Sequence, residues 1–118
     1  PFGHGLSYTT FKYSKPRYAN GTVTVKVKNT GKTDGSEIVQ VYLRRPADTA
    51  GPEKTLRGYA RVYLKAGESR DVTIAMPREN FEVWDEASQR MAVIPGEYEL
   101  YVGPSSDKDV LHKINVRI

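Results

Sequence analysis

Few side chains in this sequence have the identity and spacing that chemistry requires. It has two histidines, His4 and His112, and no cysteine. Thiol catalysis, disulfides and cysteine-type zinc sites are therefore excluded. Gly5-Leu6-Ser7-Tyr8-Thr9 misses the last glycine of a nucleophile elbow and precedes a strand-like run rather than a helix. Gly3-His4-Gly5-Leu6-Ser7-Tyr8 misses the third glycine of a dinucleotide loop. Asp107-Lys108-Asp109 lacks the rest of a calcium loop, and no acidic cluster stands at ligand spacing around either histidine. Neither a metal nor any other cofactor is expected.

Acid–base cleavage by paired carboxylates needs two such groups facing each other across the scissile bond. Glu97 and Glu99 share one face of a strand-like run, roughly 7 Å apart, but they point the same way. Asp85 and Glu86 alternate faces or sit in a turn. Both pairs read as solubilising charge, and no catalytic residue is expected.

The most suggestive surface feature is the alternation from Leu56 to Lys65. It predicts an inner face of Leu56, Gly58, Ala60, Val62 and Leu64 and an outer face of Arg57, Tyr59, Arg61, Tyr63 and Lys65. Arg and Tyr are enriched where proteins bury surface against one another. Exposed tyrosines also stack on sugar rings or bases. Contact with another domain is the preferred reading of this stripe, ahead of a solvated face and of a ligand platform. Asn20-Gly21-Thr22 fits an N-glycosylation site, but a tight turn accounts for it.

The elements that must position these residues are strands. Branched and aromatic residues outweigh leucine and methionine, which favours a pleated surface. Val23, Val25 and Val27 alternate with polar residues; so do Val72, Ile74 and Met76, then Tyr98, Leu100 and Val102, then Ile114, Val116 and Ile118. Ile38–Leu43 is apolar almost throughout and reads as a central strand covered on both faces, with a neighbouring module as the second cover. Turn signals fall at Asn20-Gly21, Asn29-Thr30-Gly31, Asp34-Gly35, Ala66-Gly67-Glu68 and Pro95-Gly96. The segment from Phe81 to Asp85 fits strand or turn, and no helical stripe of about ten residues is found. Seven or eight short strands at this spacing predict an all-β, two-sheet antiparallel sandwich of immunoglobulin-like, fibronectin type III-like form, with Trp84 as the largest core candidate and Phe81 and Tyr98 next.

Length and charge set the outer limits. One domain fits into 118 residues, and 38% apolar with 27% charged residues marks a chain that folds. No apolar run approaches the ~18 residues of a membrane span. The net charge of +4 is dispersed, with Arg44-Arg45 the one adjacent basic pair, so no nucleic-acid or membrane partner is expected. The chain opens on Pro1, which reads as a piece of something longer.

Several segments also resemble a known family. Pro1-Phe2-Gly3-His4-Gly5-Leu6-Ser7-Tyr8-Thr9 looks like the start of the C-terminal fibronectin type III-like domain of glycoside hydrolase family 3, which includes β-glucosidases and β-xylosidases. The likeness continues through Asn29-Thr30-Gly31, the run from Asp34 to Tyr42, Lys54-Thr55-Leu56-Arg57-Gly58-Tyr59, the run from Leu64 to Ser69, Pro95-Gly96-Glu97-Tyr98 and the run from Val102 to Asp107. It spans nearly all of residues 1–118. One departure stands at Met91, where members often carry tryptophan; this bears only on local packing.

The resemblance implies that the catalytic aspartate and glutamate lie in upstream domains, so no residue here inherits a catalytic role. It implies a non-catalytic accessory domain bracing those domains of the same polypeptide, with Phe2, His4, Arg57, Tyr59, Arg61 and Tyr63 as contact candidates. The competing reading is a carbohydrate-binding module stacking oligosaccharides on Tyr59 and Tyr63. A free-standing adhesion or nucleic-acid module is the third reading, resting on fold analogy and charge alone. The compartment stays open, with periplasm or exterior preferred to cytoplasm.

Overall fold

The structure, a computed structural model, describes residues 9–47, 54–104 and 111–118. It is the expected all-β sandwich. Strands β1 (Phe11–Tyr13), β2 (Arg17–Ala19), β3 (Thr22–Asn29) and β6 (Ser69–Ala75) form one antiparallel sheet, in which β3 lies between β6 and the short strands. Strands β10 (His112–Arg117), β9 (Glu97–Pro104), β4 (Gly35–Arg44) and β5 (Thr55–Leu64) form the other, in that order. A separate hairpin, β7 (Val83–Asp85) and β8 (Arg90–Ala92), follows a 3-10 turn at Arg78–Phe81.

Alternation does most of the building. Val23, Val25 and Val27 of β3 turn inward to meet Val39, Val41 and Leu43 of β4 and Leu100 and Val102 of β9 in one apolar cluster. Each is at most 2% exposed, so each contributes roughly 1.5–3 kcal/mol of apolar transfer. The expected tight turn is present: Asn20 (φ 53°) and Gly21 (φ 71°) join β2 to β3, and only Asn, Asp or Gly take that pair of angles readily. Strands β1 and β2 pair with the same side of β3 and amount to one edge strand broken at Ser14–Pro16. There the Ser14 hydroxyl accepts the Lys26 N–H at 3.0 Å, taking the part of a main-chain acceptor.

Two aromatic expectations hold and one is corrected. Phe81, delivered by the 3-10 turn, and Tyr98 are buried at 0% and 1% exposure. Their rings meet edge to face at 5.6 Å, with Tyr18 edge-on to Phe81 at 5.7 Å. The Tyr98 hydroxyl donates to the Ile94 carbonyl at 2.6 Å and accepts its N–H at 3.2 Å. This is a tyrosine corner, which locks the Pro95-Gly96 approach to β9. Trp84, by contrast, is 52% exposed. The three-residue strand that carries it lies outside both sheets, and its alternation turns Val83 inward and Trp84 outward.

Among the described residues, the buried polar one is Asn29, 0% exposed at the end of β3. Its amide nitrogen donates to the Thr33 carbonyl at 2.9 Å and to the Leu64 carbonyl at 3.0 Å. Its amide oxygen accepts the Gly31 N–H and the Thr9 hydroxyl. Its main chain bonds to Glu68 and Gly67 in the β5–β6 turn. What reads as a turn residue in the sequence ties both sheets together.

Candidate functional site

The outward face of the β10-β9-β4-β5 sheet gathers most of the surface residues of interest. Directly paired residues on neighbouring strands share a face. The register therefore sets Lys113, Tyr101, Tyr42 and Leu56 in one row across the four strands. The next rows hold Gln40 with Tyr59, Ile38 with Arg61, and Ser36 with Tyr63. Tyr59 is 68% and Tyr63 55% exposed. The structure thus keeps Tyr59, Arg61 and Tyr63 together as an outward stripe. Of Ile38–Leu43, the inner residues Val39, Val41 and Leu43 are fully buried, while Ile38, Gln40 and Tyr42 are half-buried.

Arg57 leaves that stripe. The β4–β5 register slips between Val41 and Tyr42, so that Val41 faces Gly58 while Tyr42 faces Leu56. Arg57 is the extra residue of a β-bulge, which reverses the alternation beyond it. Leu56, expected inside, is 48% exposed on the outer face. The Arg57 guanidinium turns to the sheet edge and donates to the carbonyls of Asn80 at 2.9 Å and Glu82 at 2.6 Å, while its Nε donates to the Thr55 hydroxyl at 2.9 Å. Burial pulls its pKa down from the ordinary arginine value, although the nearby Glu82 opposes that. Arg57 is a clasp between β5 and the 3-10 turn. Phe2 and His4 lie outside the described residues.

The acids of this face are occupied. Glu99 binds Arg44 at 2.8 Å and Lys113 at 3.6 Å and accepts the Tyr101 hydroxyl at 2.8 Å. Burial acts to raise its pKa, but the hydrogen bonds of Tyr101 and Arg44 and the two cations outweigh it and hold the carboxyl below the usual range. Tyr101 is raised in turn, by burial first and then by its bond to Glu99. Lys54 Nζ sits 4.7 Å from the centre of the Tyr101 ring. Glu97 pairs with Arg117 at 2.9 Å. Neither glutamate opposes another carboxylate across a gap; each neutralises a cation. Among the described residues, no group of three or more His, Asp or Glu is placed to hold a metal ion.

A second feature was not visible in the sequence. Between the β7–β8 hairpin and the adjoining ends of β4 and β5 runs a groove of about 840 Å³. Leu43, Val83 and Ile94 line it together with Trp84 and Met91. Trp84 and Met91 are directly opposed across the hairpin, and both are about half exposed. The Trp84 indole N–H donates to Glu86 at 3.4 Å. Asp85 closes the hairpin turn by accepting the Ala87 N–H and the Ser88 hydroxyl. The tyrosines beside the expected stripe, Tyr42 and Tyr101, also escaped the sequence, because only strand pairing shows that they share its face.

Comparison with known proteins adds the context. Residues 37–106 match the model of the fibronectin type III-like domain. The whole chain aligns at 40% identity with a xylan 1,4-β-xylosidase of Xylanibacter ruminicola, covering 14% of it. It also aligns at 40% identity with an exo-α-(1->6)-L-arabinopyranosidase of Bifidobacterium breve, covering 16% of it. Among solved structures, the GH3 β-glucosidase of Bifidobacterium adolescentis superposes over the whole chain with a TM-score of 0.79 at 36% identity, and the chain covers 18% of it. In each case the chain spans less than a fifth of the relative's length.

Proposed function

The chain belongs to the fibronectin type III-like domain family, and from that membership we propose that it is a non-catalytic accessory domain of a β-glucosidase-like glycoside hydrolase. Its role is to brace catalytic domains carried elsewhere on the same polypeptide. The observation that carries this reading is the indifference of the match to substrate. Relatives named for a xyloside, an arabinopyranoside and a glucoside resemble the chain at 36–40% identity over its full length. A segment that chose the sugar or cut the bond would track that choice. The glutamates of the outer face support the same view, since both are engaged by cations.

The surface proposed for bracing is the outward stripe of Tyr59, Arg61 and Tyr63, widened by Tyr42 and Leu56, with Phe2 and His4 as further contacts. Tyrosine rings and arginine stems stabilise such contacts through the apolar area they bury. Turnover of aryl β-glucosides and β-xylosides by the 118-residue chain tests the reading directly. None above background is expected, and measurable hydrolysis overturns it. Deleting the domain from the parent enzyme is expected to lower soluble yield and thermal midpoint more than it alters sugar preference.

A further inference from the structure

We propose that the groove beside Trp84 is a binding site for short, neutral, β-linked oligosaccharides. The proposal goes beyond the accessory role and takes from it only the class of ligand. Four observations converge. The groove, at about 840 Å³, is within the roughly 300–1,000 Å³ span of small-molecule sites. Its lining joins an apolar floor of Leu43, Val83 and Ile94 to an indole and a thioether that the fold leaves half in solvent. The indole is restrained twice, by strand pairing opposite Met91 and by the hydrogen bond to Glu86. Arg45 and Glu86 line the same groove, so both signs of charge are available.

A β-linked pyranose suits that arrangement. Its ring presents an apolar face of axial C–H bonds, which stacks on an indole, and a rim of equatorial hydroxyls, which a carboxylate and a guanidinium can bond. A charged ligand fits less well. Of the groove's other cations, Arg57 is committed to the Asn80 and Glu82 carbonyls and Arg44 to Glu99. Asp85 is likewise held by its own turn. What remains favours a neutral molecule rich in hydroxyls. The site lies at the sandwich end beside the hairpin, away from Tyr59 and Tyr63, so the two surfaces can be tested separately.

Trp84 is the only tryptophan in the sequence, so its fluorescence reports this groove alone. The 118-residue chain is titrated with cellotetraose, xylotetraose and maltotetraose, reading Trp84 emission and, in parallel, heat. Expected is a saturable emission shift with the two β-linked ligands at millimolar or tighter affinity, and a weaker one with α-linked maltotetraose, whose curved chain lays fewer rings flat along a groove. Met91→Ala and Glu86→Gln, both on exposed positions, are each expected to weaken binding at least severalfold. Tyr59→Ala with Tyr63→Ala is expected to leave it unchanged. No emission change or heat with either β-linked ligand overturns the proposal, as does binding that survives both groove variants or vanishes with the tyrosine pair. These outcomes are separate from the accessory reading, which falls if the chain itself hydrolyses glycosides or if its deletion leaves the parent enzyme equally stable.

Discussion

Asn29 of one sheet donates its side-chain N–H to the carbonyl of Leu64 in the other, at 3.0 Å, across the closed end of the sandwich. The same amide serves Thr33, Gly31 and Thr9, so one side chain satisfies four partners where water is excluded. Leaving a buried polar group unpaired costs about 1–3 kcal/mol. Asn29→Ala leaves several at once and is expected to cost about 3 kcal/mol or more, read as a lowered urea midpoint at unchanged slope. A loss below about 1 kcal/mol would show that the network can rewire or admit water.

Tyr98→Phe removes one hydroxyl and keeps the ring that packs on Phe81. Both main-chain groups of Ile94 then lose a partner. A loss of about 1–3 kcal/mol is expected, with the fold retained by circular dichroism. A thermal midpoint within experimental error of the parent would remove the corner from the account of how β9 is held.

Gly58 is confined by close approach. A β-carbon there would lie 3.0 Å from Cγ2 of Ile74, in the opposite sheet, and 3.3 Å from Sδ of Met76, which directly follows that strand. Gly58→Ala is therefore expected to destabilise by about 1–3 kcal/mol through overpacking. Gly67→Asn, at a turn position with φ 80° and open space around it, is expected to cost much less. Equal losses in the two variants would contradict the packing argument.

Glu37 makes stability depend on pH. It faces inward at the sandwich end and accepts the Tyr13 hydroxyl at 3.0 Å, with the His112 ring stacked on Tyr13 at 6.4 Å. Burial raises the Glu37 pKa, although the Tyr13 hydroxyl and a main-chain N–H partly oppose it. The folded state therefore binds this proton more tightly than the unfolded chain. The Glu37 contribution to stability rises as pH falls through the window between its folded and unfolded pKa values. Glu37→Gln keeps an acceptor for Tyr13 and abolishes the titration. The variant is expected to be more stable than the parent at neutral pH and to have a flatter profile in the acid range. Equal stability of the two proteins at neutral pH would overturn this assignment.

The parts of this fold legible in the sequence are those set by neighbours along the chain. Period-two alternation placed Val23, Val25 and Val27 correctly, and Asn20-Gly21 announced its turn. Features that depend on a partner strand were not legible. The bulge that turns Arg57 aside and Leu56 outward is a slip between β4 and β5, and one strand's alternation carries no record of it. Trp84 reads as core because large aromatics usually are, yet three residues cannot show whether a strand joins a sheet or stands apart. Asn29 has the identity of a turn residue; only the convergence of Thr9, Thr33 and Leu64 makes it a hub. The same limit hid the groove beside Trp84, whose walls come from segments some forty residues apart.

The gap at Ser14–Pro16 has a bearing on solubility. Proline offers no N–H, and the two pieces flanking it are three residues each, so a stray chain arriving at this rim finds landing strips too short to zip onto. This rim of the sheet is thereby blunted against pairing with the strand of a second copy.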